Sequence, residues 1–126
     1  MKIFDCTTFF SEDMIMDLRF NILNEHVHKF VVVESTFSHS GEKKKLNFDI
    51  NNYPKFKDKI IYLVIENEPN DLIKANSAAE KRANSVKRIK QSYEYMEKGV
   101  RDALDEDLII LSDNDEIPDL NSKQFM

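Results

Sequence analysis

The sequence predicts an α/β protein with a Rossmann-like, mostly parallel sheet and flanking helices. Apolar runs typical of buried strands alternate with segments of helical periodicity along the 126 residues. The last apolar run, at 108–111, stops directly at a cluster of carboxylates. Ligand sites of open parallel sheets lie at the carboxyl ends of the strands, so this cluster is the expected site. We therefore expect one α/β domain spanning residues 1–126.

Composition and charge argue against several classes of function. The formal net charge of −5 disfavours a general nucleic-acid binder. No apolar stretch approaches the roughly 20 residues that a membrane span needs, and no secretory leader pattern opens the chain. We expect a cytoplasmic protein without a membrane span. The single cysteine, Cys6, cannot form an internal disulfide and is predicted to be a buried strand residue.

The first third of the chain predicts a β-α-β unit. Residues 2–10 indicate a strand that runs into a loop, residues 12–25 an amphipathic helix, and residues 30–34 a second buried strand. The predicted apolar face of the helix consists of Met14, Ile15, Leu18, Ile22 and Leu23. Such units are almost always right-handed crossovers between parallel strands.

The remainder predicts a second β-α-β unit after a polar loop. Residues 35–42 form that loop, and alternation at 46–50 indicates a short extended segment. Residues 59–65 are predicted to be the third strand, and residues 72–104 a long helix. The final run at 108–111 is rich in branched side chains, and we expect a strand buried on both faces.

Asp113 and Asp115 follow this last strand at spacing i, i+2. Side chains alternate along an extended chain, so the two carboxylates are expected to point to the same side and reach one cation. Hard oxygen ligands favour Mg²⁺ or Mn²⁺ over Zn²⁺. The chain has two glycines and no glycine-rich phosphate loop, so phosphate would be held by metal and side chains.

The neighbouring residues distinguish three other interpretations of the carboxylates. An EF-hand loop fails, because its fifth, sixth and twelfth positions would be Ile117, Pro118 and Gln124. A metal-dependent phosphohydrolase with an aspartate nucleophile usually has threonine where Ile117 stands, and it remains an alternative function. A plain surface turn remains an alternative, since Asp-x-Asp alone is a weak signal.

Three stretches together carry a family resemblance: residues 109–118 (IILSDNDEIP), residues 4–12, and residues 32–36 with His39-Ser40-Gly41. In this order they resemble the family of the β-1,4-mannosyl-glycoprotein β-1,4-N-acetylglucosaminyltransferase and its bacterial relatives. The resemblance implies a GT-A fold, a UDP-sugar donor such as UDP-N-acetylglucosamine, a glycan acceptor, a divalent metal, and inversion at the anomeric carbon.

The resemblance also implies roles for individual residues. Asp115 would ligate the metal directly, Asp113 would contact the ribose or reach the metal through water, and Glu116 would contact the sugar or support the metal ligands. The uridine and diphosphate would be bound by side chains at the first two strand ends and on the long helix, namely Thr7, Thr8, Glu34, Thr36, Arg82 and Arg88.

One part of the expected enzyme has no candidate in this sequence. An inverting transfer needs a base for the acceptor hydroxyl, and in folds of this kind that base usually follows the Asp-x-Asp. We therefore expect residues 1–126 to be the N-terminal, donor-binding part of a GT-A fold. A nucleotide-sugar and metal-binding module without turnover is the alternative from another functional class.

Overall fold

A computed structural model describes residues 1–120 as a four-stranded, all-parallel sheet between helices, which confirms the predicted Rossmann-like α/β class. The strands are β1 (Ile3–Thr8), β2 (Lys29–Ser35), β3 (Ile60–Ile65) and β4 (Leu108–Ser112). The helices are α1 (Asp13–Leu23) and α2 (Ala78–Gly99), with 3-10 turns at Ile50–Asn52 and Lys57–Lys59. The spatial order is β3-β2-β1-β4, so β1 and β2 are central.

Helix α1 covers one face of the sheet, but of its predicted apolar face only Leu23 is fully buried, and the prediction was wrong for Met14, Leu18 and Ile22. The side chains that α1 buries are Met16, Arg19, Phe20 and Leu23. Met14 is 86% exposed, and Leu18 and Ile22 are nearly half exposed. A prediction from hydrophobicity assigns an arginine to the solvent side of a helix. Arg19 nevertheless points into the core, where Asp5 of β1 neutralises its charge. That buried pair sets the rotation of the helix.

Helix α2 covers the opposite face and is shorter than the predicted 72–104. Ser77 caps its first turn by accepting a hydrogen bond from the Glu80 amide at 3.2 Å. The preceding segment is held by the Asn84 side chain, which bonds both backbone groups of Ile73. At the other end Gly99 lies against Val31, where a β-carbon would come within 2.5 Å of a valine methyl. Within residues 1–120 neither helix has the length and apolar content that a membrane crossing requires.

Strand β4 is at the edge of the sheet within residues 1–120, and the prediction that it is buried on both faces was wrong. Ile110 packs into the core on the α1 side. Ile109 and Leu111 point to the α2 side and are 41% and 49% exposed. Because α2 packs over β2 and β3 rather than over this edge, the branched side chains of β4 are covered on one face only.

The segment at 46–50 forms no strand. Phe48 is buried and stacks on Tyr53 at 5.3 Å, whereas Leu46 is 44% exposed. The backbone amides of Asn47 and Phe48 donate to the Glu34 carboxylate instead of to a neighbouring strand. The alternation of apolar and polar residues at 46–50 therefore belongs to an irregular segment that packs against the core.

Candidate functional site

The strand order reverses at β1, because β1 pairs with β2 on one side and with β4 on the other. Connections that leave a parallel sheet in opposite directions open a crevice at the carboxyl ends of the strands. A cavity of about 850 Å³ lies there. Thr8 and Phe10 line it from the end of β1, and residues 113–115 line it from the end of β4.

The far wall of the cavity carries the cationic groups. Arg88 of α2 pairs with Glu68 at 2.8 Å and donates to the His39 carbonyl at 2.9 Å. Gly41, with φ of 91°, lies so close to the Arg88 guanidinium that any β-carbon would collide with it. Lys44 also lines this wall and pairs with Glu34. The loop after β2 and helix α2 are thus joined through Arg88.

Three carboxylates meet on the β4 side of the cavity. Asp113, Asp115 and Glu116 are exposed, and one ligand oxygen from each lies within 4.8 Å of the others. The Glu116 amide donates to the Asp113 carbonyl at 3.0 Å, closing a turn. The predicted alternation along an extended chain was therefore wrong as the cause of their proximity. The turn brings the carboxylates together and adds Glu116 to the pair.

The chemistry of this donor set fits a hard divalent cation. Three carboxylates supply only oxygen ligands, which Mg²⁺ and Mn²⁺ prefer and which suit Zn²⁺ less. Within residues 1–120 the ion pairs use other acids, and Asp113 and Asp115 pair with no lysine or arginine. Partial burial, and after it the negative charges of Asp113 and Glu116, raise the pKa of Tyr93 on α2.

Beneath the acidic turn lies the buried guanidinium of Arg19. Its Nε and Nη2 donate to the two Asp5 carboxylate oxygens at 2.7 and 2.6 Å. Nη1 donates to the backbone carbonyls of Asp113, Asn114 and Glu116 at 3.0, 3.3 and 2.8 Å. One side chain in the core thus contacts three of the four carbonyls of the turn.

Glu12 connects the acidic turn to the start of α1. Its Oε2 accepts hydrogen bonds from the Phe10 and Ser11 amides and, at 2.6 Å, from the Asn114 side chain. Partial burial alone would raise the pKa of Glu12, but these hydrogen bonds outweigh it and lower the pKa below its ordinary value. Asn114 is therefore buried beside the turn, while the aspartates on either side of it stay exposed.

The structure brings some of the sequence-predicted residues together and leaves others apart. Thr8, Arg88, Asp113 and Asp115 line the cavity, and Glu116 belongs to the acidic turn. Four predicted residues do not line the cavity: Thr7, Glu34, Thr36 and Arg82. Thr7 is buried in β1, Thr36 bonds the Ile65 carbonyl, and Arg82 is exposed on α2.

Glu34 shows most clearly why a strand-end position is insufficient. Its side chain is 1% exposed. Its two oxygens accept from Lys44, from the Asn47 and Phe48 amides, and from the Tyr62 hydroxyl, at 2.6 to 3.0 Å. Because protein donors already surround this carboxylate, it holds the 44–48 segment and presents no free oxygen to the cavity.

The sequence interpretation missed Arg19, Asp5 and Glu12 as supports of the site. A signal for the first two was present: Asp5 interrupts an apolar strand, and Arg19 stands three residues after Met16 on the face that the helix buries. Charged residues at two inward positions require each other, because unpaired burial of either is costly. No comparable signal marks Glu12.

Comparisons with known proteins give one match. A family model described as glycosyltransferase family 17 matches residues 1–126. The match includes both the β1 end and the acidic turn after β4. Neither the curated proteins nor the solved structures that were compared gave a match.

Proposed function

Because the chain belongs to glycosyltransferase family 17, we propose that its cavity binds a UDP-sugar together with Mn²⁺ or Mg²⁺. The family establishes glycosyl transfer as the class of reaction. UDP-N-acetylglucosamine is the proposed donor, a glycan hydroxyl the proposed acceptor, and inversion at the anomeric carbon the proposed course. The donor would lie at the carboxyl ends of β1 and β4, with its diphosphate at the acidic turn.

The observation that carries this proposal is the acidic turn itself. Three exposed carboxylates lie within 4.8 Å of one another at the edge of a cavity. Like charges held this close repel one another, and a divalent cation would relieve that repulsion. Asp113 and Asp115 would be the principal ligands, and Glu116 would complete the set or contact the sugar.

The chemistry of glycosyl transfer requires positive charge where this site can supply it. As the bond between sugar and phosphate breaks, charge grows on the departing diphosphate, and a bound cation stabilises such charge by several kcal/mol. The chain's contribution is to hold the carboxylates together on one wall. We propose that Arg88 on the opposite wall contacts a phosphate oxygen; its guanidinium is held by Glu68 and the His39 carbonyl.

The remaining lining suits a nucleoside. Phe10 is 49% exposed at the cavity and offers an aromatic face to a base, and Phe37 lies on the same lining. The hydroxyls of Thr8, Ser35 and Ser38 offer hydrogen bonds for a ribose or a sugar. We propose that the base lies between the end of β1 and the loop after β2.

Calorimetric titration with UDP-N-acetylglucosamine, with and without Mn²⁺, tests the proposal. We expect binding that requires Mn²⁺ and that weakens by roughly tenfold or more in Asp115→Asn, as is usual when a metal site is perturbed. Asp102→Asn is the matched control, because Asp102 is exposed and lies outside the cavity lining. It should bind as the unmodified chain does.

Two further titrations assign the contacts. UDP alone reports the nucleotide contribution, and GDP-mannose reports selectivity for the base. Metal-independent binding, or equal affinity in Asp115→Asn and Asp102→Asn, would contradict the placement of the cation. Release of UDP in the presence of a glycan acceptor would then show whether the chain turns over the donor or only binds it.

A further inference from the structure

We propose that Arg19 is a positioning residue for the cation site, fixing the backbone of the acidic turn from inside the core. This inference rests on the proposed function, because it concerns the turn assigned to the cation. Arg19 is fully buried and does not itself line the cavity. It would act on the bound cation only through the shape of residues 113–116.

The Arg19 guanidinium bonds both to the sheet and to the acidic turn. Asp5 in central strand β1 holds two nitrogens of the guanidinium in a bidentate pair at 2.6 and 2.7 Å. Nη1 then faces the turn and donates to three of its carbonyls, and Nη2 also donates to the Ser112 hydroxyl at 2.6 Å. The turn is thereby attached to a central strand of the sheet.

The direction of these contacts determines what faces the cavity. The carbonyls of Asp113, Asn114 and Glu116 point inward to Nη1, while the side chains of Asp113, Asp115 and Glu116 are exposed. Ser112 adds a second attachment, since its hydroxyl also lies 3.3 Å from the Glu116 carbonyl. Without the guanidinium these carbonyls would need water, and the spacing of the three carboxylates would no longer be fixed.

A planar guanidinium is needed for both tasks at once. Its fork pairs with a carboxylate along one edge while another nitrogen reaches the carbonyls. The single ammonium of lysine could neutralise Asp5 but could not also span three carbonyls. Arg19→Lys should therefore keep the buried charge and loosen the turn.

The test measures Mn²⁺ affinity by calorimetry, with metal alone, in variants of the full chain. Arg19→Lys is expected to bind Mn²⁺ roughly tenfold more weakly, the usual effect of losing a group that orients metal ligands. Phe20→Leu is the matched control on the same helix, because its ring packs on Phe30, Tyr53 and Phe56 and not on the turn. It should lower the unfolding midpoint while Mn²⁺ affinity stays within about twofold, as expected for sites without shared partners.

A second variant removes the risk that Arg19→Lys fails to fold. The double substitution Asp5→Leu with Arg19→Met replaces the buried ion pair by apolar side chains of similar size, a change that is often neutral or stabilising. It leaves neither charge of the pair behind and deletes every hydrogen bond that Arg19 donates to the turn. We expect a folded chain, by circular dichroism, with Mn²⁺ affinity lowered at least as much as in Arg19→Lys.

The outcomes separate this inference from the proposed function. If the unmodified chain binds Mn²⁺ and both Arg19 variants bind it equally well, the positioning role is overturned while the cation site stands. If Phe20→Leu weakens Mn²⁺ binding as much as Arg19→Lys does, the effect is one of general stability and the inference also falls. If the unmodified chain binds no Mn²⁺, the proposed site and its positioning residue fall together.

Discussion

Glu34 and Asp115 are both acids near the carboxyl edge of one sheet, yet their surroundings are opposite. Glu34, in β2, is buried and accepts hydrogen bonds from four donors. Asp115, in the turn after β4, is exposed, and no ion pair within residues 1–120 involves it. The difference teaches that the number of protein donors around a carboxylate, rather than its position after a strand, separates an acid that holds the fold from one available to a ligand.

The largest effect is expected from removing the buried acid. Glu34→Ala would leave Lys44 and the Tyr62 hydroxyl without their partner and should cost about 3–5 kcal/mol of unfolding free energy, as breaking a buried pair does. Urea denaturation measures this loss. Glu42→Ala, at an exposed acid in the following loop, should leave the midpoint unchanged. Equal unfolding midpoints for Glu34→Ala and Glu42→Ala would show that the buried carboxylate stabilises the fold no more than the exposed one does.

A smaller effect is expected from removing one donor and keeping the acid. Tyr62→Phe deletes the hydroxyl that lies 2.6 Å from Glu34 Oε1 and should cost about 1 kcal/mol, the usual net value of one hydrogen bond. Tyr95→Phe is the control, because the Tyr95 ring contacts Lys98 and its hydroxyl makes no hydrogen bond to the part of the chain that the structure describes. A loss in Tyr62→Phe no larger than in Tyr95→Phe would show that Glu34 does not depend on this donor.

The smallest effect concerns Glu12, which stands between the two classes because it accepts from three donors at the edge of the cavity. Its pKa is lower in the folded chain than the ordinary value of 4.5, since hydrogen bonds outweigh burial. Its contribution to stability is therefore fully present above pH 4.5 and is lost as the pH falls through the folded pKa.

Glu12→Gln should accordingly reduce stability slightly at neutral pH and leave it unchanged in strong acid. Unfolding midpoints measured from pH 7 down to pH 2 would reveal this convergence. The exposed Glu25→Gln serves as the control, with no such pH-dependent difference. A stability gap for Glu12→Gln that widens on acidification would show that the sign of the pKa shift is wrong.

The sequence predicted the elements better than it predicted their exposure. Four strands, two helices and the position of the carboxylates after the last strand agree with the structure. Periodicity could not reveal that α2 leaves one face of β4 uncovered, because the apolar content of a strand does not show which faces the helices cover. The rotation of α1 was likewise missed, because the prediction did not pair Arg19 with Asp5, 14 positions earlier in the chain.

The candidate site was only partly predictable for a related reason. Asp113 and Asp115 could be found because they are close in sequence and follow an apolar run. Glu34 was interpreted as a ligand contact, since nothing local shows that Tyr62 and the 44–48 segment fold onto it. Partners that are distant in sequence decide which acids remain free, and pattern analysis of a single chain does not contain them.

The pairing of β1 with β4 has a consequence for how the protein folds. The Lys2 amide donates to Asp107 at 2.8 Å across a separation of 105 positions, and β1 lies beside β4 from Ile3 onward. Closing so long a loop is entropically slow, and non-local pairings delay folding. During synthesis β1, α1 and β2 can assemble early, whereas the acidic turn acquires its geometry only after β4 has left the ribosome and docked. The cavity is therefore expected to become competent for ligand in the final folding step of the described chain.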